Sequence, residues 1–227
     1  MKNVVAGEPP VDESRAGESR ADGDRVVPGW RRKQDAIAAA ALLLFARDGY
    51  ERTSVDAIAA EAGVSKRTVY SHYGDKENLF LLVLAETYTT MRSRVSDIVS
   101  RTLYDVDDVE ESLTACVREI VRTITQAPER ATLVRLAISE APHFPAITDI
   151  WRNRGIVPLF AEPLSRLAAA GRLDADDPVL AAEHLSALTL GQINNKSMMG
   201  TVHLTDAEAD RIITSGIRVF MRAYAPA

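Results

Sequence analysis

From Trp30 onward, apolar side chains recur at every third or fourth position and never in strict alternation. That recurrence is the period of the α-helix, and a chain that keeps it throughout has no strand from which to build a sheet. Ala, Leu, Arg and Glu fill the periodic segments, while Gly, Pro, Ser, Thr and Asp stand between them as stops and caps. The expected fold class is all-α, with about nine helices. Their expected spans are 31–48, 55–62, 66–72, 76–101, 109–126, 128–140, 146–170, 178–191 and a last helix ending near residue 224. Gly49, Gly63, Gly74 and Gly171 are the stops. Ser65, Asp75 and Asp177 are caps, Thr53 or Ser54 caps the second helix, and Thr53 with Asp56 and Thr205 with Glu208 have the spacing of capping boxes. Pro158 and Pro163 are expected to interrupt 146–170.

Two short helices followed by a long one divide the chain. A three-helix head over 30–90 is expected, joined by the long helix to a larger bundle over 91–227. Residues 1–29 mix Gly, Pro, Ser and charge without a period and read as a disordered tail. The single cysteine, Cys116, lies in a helical pattern and reads as a buried thiol. No apolar run approaches the ~18–20 residues that cross a bilayer, and the N-terminal residues hold no apolar signal core. The expected location is cytoplasmic, with no membrane partner.

A net charge of −5 argues against a nucleic-acid partner, but the charge is unevenly placed. Residues 30–76 carry eight basic against six acidic side chains, and the tail carries four against six. The positive segment holds the most informative stretch, Thr53 to Lys76. Ile58, Ala59, Ala62, Val64 and Val69 are spaced to form a shared core for two short helices turning at Gly63. That packing turns Ser65, Lys66, Arg67, Thr68, Tyr70, Ser71 and His72 outward. A helix so short and polar gains little from packing, yet it carries the donors that a DNA groove accepts. The same residues also suit a plain solvated surface.

The ordered string over this region resembles the N-terminal helix-turn-helix domain of the TetR family of transcriptional regulators. The matching residues run from Phe45 to Tyr50, then Thr53, Ile58, Ala59, Ala62 to Ser65, Thr68 to Tyr70, His72, Tyr73 and Lys76 to Phe80. Tyr73 stands where the family usually has Phe, and Arg67 where it often has a small residue. The resemblance implies that Lys66, Arg67, Thr68, Ser71 and His72 face bases or nearby phosphates. It implies that Tyr70, Lys76 and Thr53 or Ser54 hold phosphates, with Ser65 at the start of the recognition helix. Arg67 on a guanine is the best single pairing. The stretch 135–145 and its continuation to Leu173 resemble the C-terminal domain of the AefR-like branch.

The implied function is a DNA-binding regulator, most simply a repressor released from a palindromic operator by a small-molecule effector. Half-sites one helical turn apart call for a homodimer. Leu185, Leu188, Ile213, Ile217 and Phe220, on two apolar helices, are the expected interface. Leu136, His143, Phe144, Trp151, Phe160, Asn194 and Asn195 are the expected effector pocket, with the proline breaks opening the packing. No catalytic set, metal-ligand spacing or cofactor motif is found: the four histidines are scattered and no phosphate-binding glycine loop is present. An architectural DNA protein without an effector is the competing reading.

Overall fold

The computed structural model describes residues 29–125 and 128–226. The tail expectation falls on residues 1–28 and lies outside them. The elements are α1 (Gly29–Asp48), α2 (Val55–Glu61), α3 (Lys66–Tyr73), α4 (Lys76–Thr102), α5 (Val109–Thr125), α6 (Pro128–Glu140), α7 (Ala146–Arg154), α8 (Ala161–Ala169), α9 (Pro178–Ser186), α10 (Gln192–Lys196) and α11 (Asp206–Tyr224). A 3-10 turn, Val157–Phe160, leads into α8, and a π-helical stretch, Ala187–Gly191, joins α9 to α10. No helix among the described residues is long and apolar enough to cross a membrane.

Side-chain caps fix the starts of the helices. Ser65 accepts the Thr68 N–H at 3.1 Å, Asp75 accepts that of Asn78 at 2.7 Å, and Asp177 accepts those of Val179 and Leu180 at 3.0 Å. Thr205 and Glu208 close a capping box. The box expected of Thr53 and Asp56 is not made. Ser54 caps α2, accepting the Ala57 N–H at 3.1 Å. Thr53 is buried, and its hydroxyl donates to the Gly49 carbonyl at 2.7 Å. The threonine methyl favours the inner of two adjacent hydroxyl positions, and serine takes the outer one.

Two proline and glycine readings also change. Pro163 does not interrupt α8. It sits in the first turn, where its missing N–H has no intrahelical acceptor to lose. The break falls instead at Gly155, whose backbone is extended. The helix that begins at Pro178 does not end at Gly191 but runs through the π stretch to Lys196.

Buried side chains form two clusters, and α4 is common to both. The first joins α1, α2, α3 and the start of α4 through Ile37, Leu44, Phe45, Ile58, Val69 and Phe80. It also takes in Leu133 and Ala137 of α6 and Ile147 of α7. The head therefore rests on α6 and α7 as well as on α4. The second cluster joins the far half of α4 to α5, α8, α9 and α11, with Phe160 and Cys116 inside it. Burial pushes the Cys116 thiol up to about 11. Leu185, Ile213, Ile217 and Phe220 belong to this same core, each at most 1% exposed, and Leu188 packs against it. Leu185, Ile213, Ile217 and Phe220 are thus packed within one chain, while Leu188 is half-buried. The richest apolar stripe of each helix is taken by its own domain, and the neighbouring stripe leaves Val179, Leu180 and Val219 exposed.

Candidate nucleic-acid interface

α2 and α3 meet through Ile58, Ala59 and Val69, and the turn between them needs Gly63 at φ +65°, a left-handed value that glycine adopts without strain. The short α3 buries only Val69. Its other side chains are exposed or half-buried, and they differ in what already engages them.

Lys66 is paired to Asp56 of α2 at 2.8 Å, and this hydrogen bond raises the lysine above its ordinary range. The pair ties α3 to α2. Ser65 and Thr68 share a hydroxyl–hydroxyl hydrogen bond of 2.8 Å, and Ser71 donates to the Thr68 carbonyl at 2.9 Å. Tyr70 is exposed and His72 half-buried. Arg67 is exposed, and no neighbour among the described residues holds its guanidinium. Of the cations expected at DNA, Arg67 is the most available. Ser54 is exposed at the start of α2, whereas Thr53, buried and engaged, has no hydroxyl to offer a phosphate.

Lys76 reaches back across the loop after α1. Its ammonium donates to the carbonyls of Tyr50 at 3.0 Å and Glu51 at 3.4 Å, and lies 4.2 Å from the centre of the Tyr50 ring. Tyr50 stacks in turn on Phe45 and meets Phe80 at 5.0 Å and Phe144 at 4.9 Å. An aromatic cluster thus connects the α6–α7 corner to a lysine at the head's edge. Nothing in the sequence spacing announced this link, because Phe80 and Phe144 lie 30 and 94 residues beyond Tyr50.

The seven residues expected to line an effector pocket do not converge. Phe144 is part of the head cluster, and Leu136 packs against it. Phe160 is fully buried in the second core. His143 is exposed beside Glu140 at 3.6 Å, and Asn194 and Asn195 are exposed on α10. Trp151 sits at the seam between α7 and α4. It is half-exposed on α7 and meets the Tyr88 ring of α4 edge-on at 5.8 Å. Tyr88 is 4% exposed, its hydroxyl has no hydrogen-bond partner among the described residues, and burial pushes the phenol far above its ordinary range. One turn further along α4, Arg92 donates to the Gly155 carbonyl at the end of α7.

Comparison with known proteins covers both halves of the chain. Residues 37–83 match the family described as bacterial regulatory proteins, tetR family, and residues 111–226 match the AefR-like transcriptional repressor C-terminal domain. The HTH-type transcriptional regulator YezE of Bacillus subtilis is 25% identical, over 75% of this chain and 84% of its own length. A TetR-family transcriptional regulator from Mesorhizobium loti superposes with a TM-score of 0.81 at 28% identity, covering 88% of this chain and 100% of that one. The flavonoid-responsive regulator FrrA superposes with a TM-score of 0.69, also at 28% identity, covering 86% of this chain and 98% of its own.

Proposed function

We propose that this chain, which belongs to the tetR family of bacterial regulatory proteins and is a DNA-binding transcriptional repressor, grips a palindromic operator as a homodimer and releases it when a small molecule enters the α4–α7 seam. The observation that carries the DNA reading is α3 itself: a short helix that fully buries one side chain and presents Arg67, Tyr70 and Ser71 outward, with His72 half-buried beside them. One such helix binds weakly, and two, about 34–36 Å apart on a dimer, engage successive major grooves. Arg67 reads a guanine, Ser54 and Tyr70 hold phosphates, and Lys76 exchanges the Tyr50 and Glu51 carbonyls for a phosphate. The mate packs on the stripe of Val179, Leu180 and Val219.

Footprinting on the DNA upstream of the protein's own gene tests the reading. A two-fold protected site, weakened by salt, is the expected result. Arg67→Ala is expected to cost about 1–3 kcal/mol, roughly 5- to 150-fold in affinity, and to relax preference at one base pair per half-site. A genome-wide pulldown with no enriched site would sink it.

The effector half of the reading rests on Tyr88. A buried hydroxyl without a partner costs about 1–3 kcal/mol, a burden that a ligand's polar group would relieve. The edge-on Trp151 ring suits an aromatic ligand, and the flavonoid response named for FrrA makes flavonoids the first panel to screen. Tyr88→Phe should leave thermal stability unchanged or raise it, while weakening effector-driven release at least tenfold in a DNA-binding titration. Release that is unaffected would move the effector elsewhere. To invert a 1:99 population of the released form, the effector must favour it by about 5.5 kcal/mol.

A further inference from the structure

The beginning of α1 holds Trp30, Arg31, Arg32 and Lys33, all exposed, with no acidic side chain in the first turn. Arg31 lies over the Trp30 ring, 5.4 Å from its centre. Asp35, one turn later, is the first acid along the helix. Three cations in succession oppose the helix dipole, which favours anions at that end, so this patch gains nothing from its own helix.

Its position explains it better. The last residue of α3, Tyr73, donates its hydroxyl to the Gln34 carbonyl of α1 at 3.2 Å, and His72 lies against Tyr73. The end of the recognition helix is therefore tied to the second turn of α1, directly after the basic residues 31–33. A helix seated in the major groove has a phosphate strand along each rim. We propose that Arg31, Arg32 and Lys33 form a phosphate clamp on the DNA flanking each half-site, outside the bases that α3 reads. The clamp adds affinity without sequence preference. This inference rests on the DNA-binding reading above and extends it to a separate surface.

Full-length protein, with and without Arg31→Ala/Arg32→Ala/Lys33→Ala, is titrated against two duplexes: the operator alone, trimmed to the two half-sites that α3 reads, and the operator with about ten base pairs of flank on each side. Counterion release lowers the slope of log affinity against log salt by about 0.9 for each phosphate that the protein no longer neutralises. The expected result is a fall of 10-fold or more in affinity for the flanked duplex at low salt, equal for any flanking sequence, with the slope reduced by about 2 or more. Binding to the operator alone stays within twofold. The charge-preserving variant Arg31→Lys/Arg32→Lys retains most of the flanked affinity. Equal falls on both duplexes would mean the head is disturbed, and no change on either would mean that the three cations face solvent when DNA is bound. Either result overturns the clamp. Failure of the unmodified protein to bind any operator would instead overturn the reading on which it rests.

Discussion

Gly216→Ala is expected to destabilise the folded chain by about 3 kcal/mol and to lower its melting temperature by about 6–12 °C. By helix propensity alone the change should help, since alanine in a helix interior is worth about 1 kcal/mol over glycine. Packing reverses the sign. A Cβ at 216 would fall on the Leu188 carbonyl oxygen, with the carbonyl carbon and Thr189 Cγ2 each only 2.9 Å away. Leu188 lies in the π-helical stretch 187–191, where the backbone bulges toward α11. The Thr189 hydroxyl donates to the Leu185 carbonyl at 2.7 Å, satisfying an acceptor of the last turn of α9. Neither side is free to give: the nearest obstructing atoms are the Leu188 backbone, and α11 is held on this same buried face by Ile213, Ile217 and Phe220 in the core. A thermal melt followed by far-ultraviolet circular dichroism reads the effect. An unchanged or raised melting temperature would mean that the two helices are not this close.

How much of this was legible in the sequence depended on whether a residue's role is local. The caps at Ser65, Asp75, Asp177 and Thr205 were legible because a cap is decided within four residues. The head was legible for the same reason: Gly63, Ser65 and the alanines of α2 specify a tight turn between two short helices, and few other arrangements use them. Between Thr53 and Ser54 the sequence could not choose, because both hydroxyls are chemically able to cap and only the buried Leu44 and Gly49 carbonyls decide which turns inward. The apolar stripes of α9 and α11 were legible, but not which partner they meet, since packing in a core and packing in a dimer need the same side chains. Aromatic residues failed in the same way. Phe144, Trp151 and Phe160 share a chemistry and a neighbourhood in sequence, yet one sits in the head cluster, one on the α4 seam and one in the second core. The π stretch leaves no periodic trace at all. Its only sequence sign is a small residue 28 positions away, Gly216 opposite Leu188.

Phe144→Ala is expected to separate effector binding from DNA release. Phe144 stands at the α6–α7 corner with its ring 4.9 Å from Tyr50 and 6.1 Å from Phe80, so it is the point where the C-terminal helices enter the head's aromatic cluster. Removing it takes the ring away from Tyr50 and Phe80 and leaves a space between them, at a cost of about 2–4 kcal/mol in stability. The packing that shapes α2 and α3 does not involve it: Ile58, Ala59 and Val69 remain, and so does the Lys66–Asp56 pair. Operator affinity without effector should therefore change by less than about fivefold, or 1 kcal/mol. What is lost is the ring contact that links the α6–α7 corner to Tyr50 and, through Tyr50, to the ammonium of Lys76, the route by which the proposed effector site would reach the head. The measurable quantity is the ratio of operator affinities with and without a saturating effector, which should fall toward one. Phe144→Leu serves as the control for stability, because it keeps most of the buried bulk while removing the ring. If both variants release DNA as the unmodified protein does, the signal travels along α4 alone, whose 27 residues span about 40 Å from the head to the second core. If only the alanine variant fails, bulk at the corner carries the coupling. Failure of both assigns it to the aromatic ring itself.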